Sequence, residues 1–293
     1  MAAAAGAAFL WAITVTVFTF AARRAGAAVV NTTRLVLAFL LLLALHAAWT
    51  GHPWPADLGS GRTFWLFLSG VVGFTVADGL GLTSFLHLGP RLGMLIQTLA
   101  PAFSVVAAYA FFGERVAWTK LAAMAVTLGG LALVVTQGAD PGQPRARRLP
   151  WKGLLLALGA ALGQSAGQIL SVKGLEGGVS TLSGNVVRMA GGAAGGVLLL
   201  AISGRRSDLA APWRRGATAL QVLSGTVLGV LGGGLLALYA LGHAPVGPAA
   251  TLLSMVPVFL LPITRIWMGE PITLRALAGT GLTLLGAAGL FLG

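Results

Sequence analysis

Polar and charged residues fall in short clusters along this chain, and between the clusters run apolar stretches of about 20 residues, the length a helix needs to cross a hydrocarbon core of about 30 Å. Ten spans are predicted: Ala3–Ala21, Ala27–Trp49, Thr63–Leu86, Leu92–Phe112 and Ala117–Thr136, then Trp151–Val172, Thr181–Ser203, Ala217–Leu241, Val246–Trp267 and Ile272–Leu292. Most connections are short. The longest, Gln137 to Pro150 (QGADPGQPRARRLP), is rich in proline and arginine and falls at the midpoint, as a linker would. Residues 1–137 and 151–293 are therefore expected to form two five-span units joined by 138–150.

The two units read as copies of one another. Arg91 to Glu114, RLGMLIQTLAPAFSVVAAYAFFGE, returns as Gly247 to Glu270, GPAATLLSMVPVFLLPITRIWMGE. One offset of 156 residues carries Pro101 onto Pro257, Phe103 onto Phe259, Gly113-Glu114 onto Gly269-Glu270, His87 onto His243 and Gly73 onto Gly229. Asn31-Thr-Thr-Arg34 returns as Asn185-Val-Val-Arg188 at an offset of 154. Five is an odd number of spans, so the second copy enters the membrane from the opposite side and the repeats are inverted.

Composition sharpens this picture. With 57% hydrophobic and only 9% charged residues, the 293-residue chain has too little polar surface to cover a soluble globule. Its 43 glycines suit membrane helices, which use glycine to bring backbones close together. The net charge of +12 marks membrane flanks rather than a nucleic-acid surface, since no basic run is interleaved with aromatics. Cysteine is absent, which removes disulfides, thiolate metal sites and a cysteine nucleophile. Met1 to Phe20 lacks a basic leader and precedes Arg23-Arg24, so it reads as an uncleaved first span. Seven of the eight tryptophans, Trp11, Trp49, Trp65, Trp118, Trp151, Trp213 and Trp267, fall mostly at span edges, as an aromatic belt requires, with Trp11 the mid-span exception.

Two five-span halves, Pro-x-Phe followed by Gly-Glu closing the fourth and ninth spans, and Asn-x-x-Arg opening the second and seventh resemble the EamA family of the drug/metabolite transporter superfamily. The resemblance covers nearly the whole chain. It implies an all-α polytopic membrane protein, ten transmembrane helices in two inverted five-helix repeats around a central cavity, carrying small organic solutes across the inner membrane. It also implies both termini in the cytoplasm. Counting Lys and Arg by loop gives the other orientation: Arg23, Arg24, Arg91 and the arginines of the linker share one side with Arg205, Arg206, Arg214, Arg215, Arg265 and Arg275, and the positive-inside rule makes that side cytoplasmic and the termini external.

Polar groups inside a span are costly and usually face a bundle interior or a wet cavity. Of seven acids only Asp78 sits well inside a span, followed by Gly79 and Gly81 and matched in the other half by Gly232-Gly233-Gly234. Glycine-interrupted segments at corresponding places of two inverted halves point to a carrier's midplane site, through local unwinding. Asp78 is expected either to bind a substrate ammonium or take up a proton, or to pair permanently with an Arg or neighbouring donors. Arg188 and its counterpart Arg34 offer a fork for a carboxylate, while their presence in both halves favours a structural role. Gln164 and Gln168 share a face of the sixth span, beside a ridge of Gly159, Gly163 and Gly167. Gln97, Thr98 and Ser254 precede Pro101 and Pro257, which are expected to kink their spans and free a carbonyl. Trp11 is the candidate aromatic wall. Glu114 and Glu270 are expected to cap the next span, with gating salt bridges as the alternative, and His87 and His243 to anchor at the interface.

The leading function is a secondary carrier, exporter or facilitator, of a small metabolite such as an amino acid or drug-like amine, working by alternating access. No nucleotide-binding loop, metal-ligand cluster or cofactor motif is present. The other readings are an intramembrane enzyme acting on lipid or prenyl substrates, which would want more acids than Asp78, and a channel, which would want a continuous polar stripe. Proton coupling and a monomeric or homodimeric state are left open.

Overall fold

The computed structural model describes residues 2–55, 58–112, 117–135, 150–243, 249, 252–270 and 272–292. Glu114, Arg115 and most of the 138–150 linker lie outside these residues.

The described residues are helical wherever the apolar runs lie. In chain order they form α1 (Ala2–Ala25), α2 (Ala27–Thr50), α3 (Ser60–Gly70), a π-helical segment (Val71–Ala77), α4 (Asp78–Leu88), α5 (Pro90–Gln97), α6 (Ala100–Phe112), α7 (Trp118–Val135), α8 (Trp151–Leu175) and α9 (Thr181–Ile202). After two short 3-10 turns come α10 (Gly216–Val227), a second π-helical segment (Leu228–Gly234), α11 (Leu235–His243), α12 (Val256–Met268) and α13 (Leu274–Leu292). Among the described residues six helical stretches are long and apolar enough to cross a membrane, including Ala2–Ala25, Ala27–Thr50 and the continuous Ser60–Leu88, with Trp118–Val134 and Val256–Met268 as shorter apolar helices. Helices close their backbone hydrogen bonds internally, so this all-helical architecture is what an apolar solvent demands.

Two glycines make single-residue turns between helices. Gly26 (φ 89°) is the single residue between α1 and α2, and Gly89 (φ 79°) separates α4 from Pro90, the first residue of α5. Large apolar side chains point outward along the helices, Ile202 and Ile266 at 79% and 77% exposure among them, a surface suited to acyl chains. Trp49, Trp118 and Trp151 are likewise exposed, at helix ends.

The packing is reciprocal between the halves. α2 crosses α9, its counterpart, and α7 packs along α13, its counterpart. α8 packs against α3, the first π segment and α4, and α1 packs in the same way against α10, the second π segment and α11. α8 also touches α5 and α6, as α1 touches α12. Small residues make these crossings close. The ridge on α8 lies on the third span, with Gly167 against Gly73, Gly163 against Ala77 and Gly159 against Leu80. Hydroxyls add polar ties between helices: Ser69 Oγ donates to the Gly167 carbonyl and Thr75 Oγ1 to that of Gly192, each at 2.7 Å.

Candidate functional site

Where α1 to α6 meet α8 to α12 the bundle forms a partly open cavity of about 670 Å³. Trp11, Asp78, Gly81, Gln97 and Pro101 of the first half line it, and so do Gln164, Gln168, Ser254 and Pro257 of the second. The remaining wall is largely apolar, with Phe18, Phe74, Phe85, Leu82 and Met94 prominent. Arg188, Gly79, Gly233 and Gly234 are not among the residues that line it.

Asp78 is the first residue of α4, directly after the π segment, and it is not isolated. Arg34 Nη2 donates to Asp78 Oδ2 at 2.5 Å, and Gln164 Nε2 donates to Oδ1. The pair is mostly buried, with side-chain exposures of 22% for Arg34 and 21% for Asp78. Arg34 is held in turn: its Nε and Nη2 donate to Asn31 Oδ1 at 3.0 and 2.7 Å. Asn31 Nδ2 donates to the Phe74 and Thr75 carbonyls at 3.0 and 3.3 Å. Both carbonyls belong to the π segment, whose wider turn displaces backbone groups from the ordinary helical ladder and lets a side chain reach them. A chain of bonds thus fixes the distorted turn, the asparagine, the arginine and the carboxylate in one arrangement.

The second half repeats this device without its acid. Arg188 Nη1 donates to Asn185 Oδ1 at 3.3 Å, as Arg34 does to Asn31, and Nε donates to Ser69 Oγ at 3.0 Å. Its guanidinium lies 4.8 Å from the centre of the Phe74 ring, whose other surroundings include the cavity. No carboxylate pairs with Arg188 among the described residues, although the charge of Asp78 acts on it. The repeat counterpart of Asp78 is Gly234.

The expected interruptions occur, but not all where glycine suggested. Gly79 and Gly81 lie in regular α-helix, and the widened turn is Val71–Ala77, immediately before them. Their missing side chains serve close approach instead: a Cβ on Gly81 would sit 2.9 Å from Gln97 Nε2, and one on Gly79 3.5 Å from Asn31 Nδ2. Gly233 and Gly234 do fall in a π segment, and Gly233 makes room for the Trp11 indole, which donates to the Gly229 carbonyl at 3.2 Å. Pro101 and Pro257 sit in the first turns of α6 and α12, just after the breaks at Thr98-Leu99 and Ser254-Met255. There a proline costs no helical hydrogen bond, so these residues restart a helix rather than kink one. Gln97 Nε2, at the end of α5, is buried with no hydrogen-bond partner among the described residues.

Each half matches one family model, that of the EamA-like transporters, over residues 1–136 and again over 151–292. The chain belongs to the EamA-like transporter family. This EamA-like protein is accordingly a multi-pass membrane transporter. It is similar to a "Probable terminal-alkyne amino-acid exporter" of Streptantibioticus cattleyicolor, 28% identical over 290 residues that cover 94% of this chain and 91% of the relative. A crystal structure known only as that of a protein shares the fold, with a TM-score of 0.62 at 16% identity over 99% of this chain and 96% of the other.

Sequence reasoning passed over two parts of this transporter. Asn31 served there only to mark the repeat, yet at 2% exposure it is the hinge of the Asp78 network. His46, 3% exposed, donates from Nδ1 to the His52 carbonyl at 2.6 Å and accepts at Nε2 from Ser183 Oγ at 3.1 Å, tying the end of α2 to the start of α9. A buried polar side chain announces that a partner exists, but the partner's identity needs the fold.

Glu270 does not cap the helix that follows it. Thr273 does, accepting from the Ala276 amide at 3.2 Å. Glu270 reaches across the halves to Arg91, 3.7 Å away, beside Gly89. In the repeat register Arg91 corresponds to Gly247, so the opposite end carries no matching cation there. Glu270→Gln is expected to loosen the Arg91 end of the EamA-like bundle. Because the chain lacks cysteine, a single cysteine at Met94 reports this directly. Its labelling by an impermeant maleimide should rise roughly three- to tenfold, the range a loss of about 0.7–1.4 kcal/mol produces. Unchanged labelling would mean that the pair does not hold this end closed.

Proposed function

We propose that this chain is a secondary carrier that exports a small amphipathic metabolite of the amino-acid kind, by alternating access of two inverted five-helix repeats, 1–137 and 151–293, joined by 138–150. The reading rests on one observation above the others: an apolar-walled cavity of about 670 Å³ lies between the halves with a hydrogen-bonded ion pair on its wall. That volume falls in the range of about 300–1,000 Å³ usual for small-molecule sites. The exchange of packing partners between halves and the paired π segments are what a twofold axis in the bilayer plane would produce, and rocking one half against the other would then expose the cavity to each side in turn. The apolar walls suit an aliphatic or aromatic side chain, and the Arg34 guanidinium on the same wall offers a charged partner to the polar end of such a solute. The amino-acid exporter of Streptantibioticus cattleyicolor points to the same class and direction. In a cell the bilayer would be the inner membrane.

Counterflow in proteoliposomes tests this reading. A labelled apolar amino acid should accumulate transiently against preloaded unlabelled solute, saturate with concentration and be competed by close analogues. Flux that rises linearly with concentration would make the protein a pore, and the carrier mechanism would have to be given up.

A further inference from the structure

Around the cavity the charges do not balance. Among the described residues Arg34 and Arg188 contribute two cations and Asp78 one carboxylate, one positive charge in excess. In a low-dielectric site such an excess favours a ligand bearing negative charge. The unused hydrogen-bonding groups have the same sense. Both oxygens of Asp78 are engaged, Oδ2 by Arg34 and Oδ1 by Gln164, so an incoming ammonium would have to displace a donor already in place. Donors remain unmatched: Arg34 spends Nε and Nη2 on Asn31 and Asp78, while its Nη1 and the buried Gln97 Nε2 bond none of the described residues. Gln97 packs against Gly81, one helical turn beyond Asp78, so the two free donors flank the same stretch of α4. A buried donor left unpaired is costly, and because Gln97 lines the cavity, a turn of its amide that carries Nε2 to a ligand oxygen removes that cost.

We propose that the solute is held through a carboxylate, bound by Arg34 Nη1 and the Gln97 amide, and that a free amino group on the solute is not required. The proposal rests on the carrier reading for its biological meaning, but binding can be measured without transport. Asp78 then acts as a positioning residue. It orients the guanidinium and does not itself receive the substrate's ammonium.

Three probes of equal chain length separate the possibilities: hexanoate carries only the carboxylate, norleucine is the zwitterion, and norleucinamide carries only the ammonium. Titrated into the purified full-length chain in nanodiscs, with affinity read by calorimetry, hexanoate and norleucine should bind within a few-fold of each other. Norleucinamide should bind at least about tenfold more weakly, the loss expected for a charge-assisted hydrogen bond. Gln97→Glu, which keeps the shape and adds a negative charge, should weaken hexanoate by roughly ten- to hundredfold and improve norleucinamide. Norleucinamide binding as tightly as norleucine, failure of both carboxylates to bind, or a folded Gln97→Glu protein with wild-type hexanoate affinity would each overturn the proposal. Carboxylates that bind but show no counterflow would sink the carrier reading and leave the subsite standing. Counterflow that prefers the amide would do the reverse.

Discussion

Asp78→Ala is expected to abolish counterflow and to cost about 3–5 kcal/mol of stability, the usual loss when one partner of a buried ion pair is removed and its cation is left without compensation. Arg34 would keep Asn31 as an acceptor, but its charge would face an apolar wall that includes Phe18, 5.3 Å from the guanidinium. Gln164 Nε2 would lose its acceptor as well. The double substitution Asp78→Ala/Arg34→Met removes both charges, and much of the stability should return because a hydrophobic replacement for a buried pair is often neutral or better. Transport should not return with it. Thermal unfolding in detergent and initial counterflow rates measure the two effects separately. A single substitution with wild-type stability would show that the pair is not what holds α2 to α4.

The second large effect concerns the crossing of α3 and α9, where backbone meets backbone. A Cβ on Gly70 would lie 2.6 Å from the Arg188 carbonyl carbon, and one on Gly191 2.8 Å from that of Phe67. No side chain is there to swing aside, so the helices themselves must part. Gly70→Ala and Gly191→Ala should each cost about 1–3 kcal/mol, and Gly191→Leu should prevent recovery of monodisperse protein. Separation at this crossing would also shift Ser69, which receives the Arg188 Nε bond, so the second half of the polar network would loosen with it. Gly129→Ala is the control. It sits in α7 with nothing within 4 Å of the added methyl, and replacing a helical glycine there should be neutral or stabilising by up to about 1 kcal/mol. Equal losses at Gly70, Gly191 and Gly129 would show that glycine acts here through backbone freedom and not through close packing.

The contrast between those glycines bears on what could be read in advance. Helix edges were legible because the solvent imposes them: α2 spans Ala27–Thr50 against an expected Ala27–Trp49, and α9 Thr181–Ile202 against Thr181–Ser203. Asp78 was legible as a singular residue because an acid within an apolar run is conspicuous. The use of Gly79 and Gly81 was not. Glycine permits both unusual torsions and close approach, and nothing along the chain says which is needed. The widened turn instead falls on Val71–Ala77, VVGFTVA, whose residues carry no mark of it. Pro101 and Pro257 were read as kinks for a similar reason, since the residues that end α5 and precede α12 must be seen before a proline can be recognised as the start of a new helix.

The amino-acid order by itself determined that this is an all-helical membrane protein with a repeated half, and it singled out one intramembrane acid. Those properties follow from local hydrophobicity and from identity at a fixed spacing, both of which are written along the chain. Only the tertiary structure decided that Asp78 belongs to Arg34, 44 positions away, and to Gln164, 86 positions away, and that Gln97, packed against Gly81, has a donor unmatched among the described residues. Hydrogen bonds and ion pairs depend on distances of about 3 Å between groups remote in sequence, and those distances are set by how helices cross, a quantity that small residues at a few contacts control.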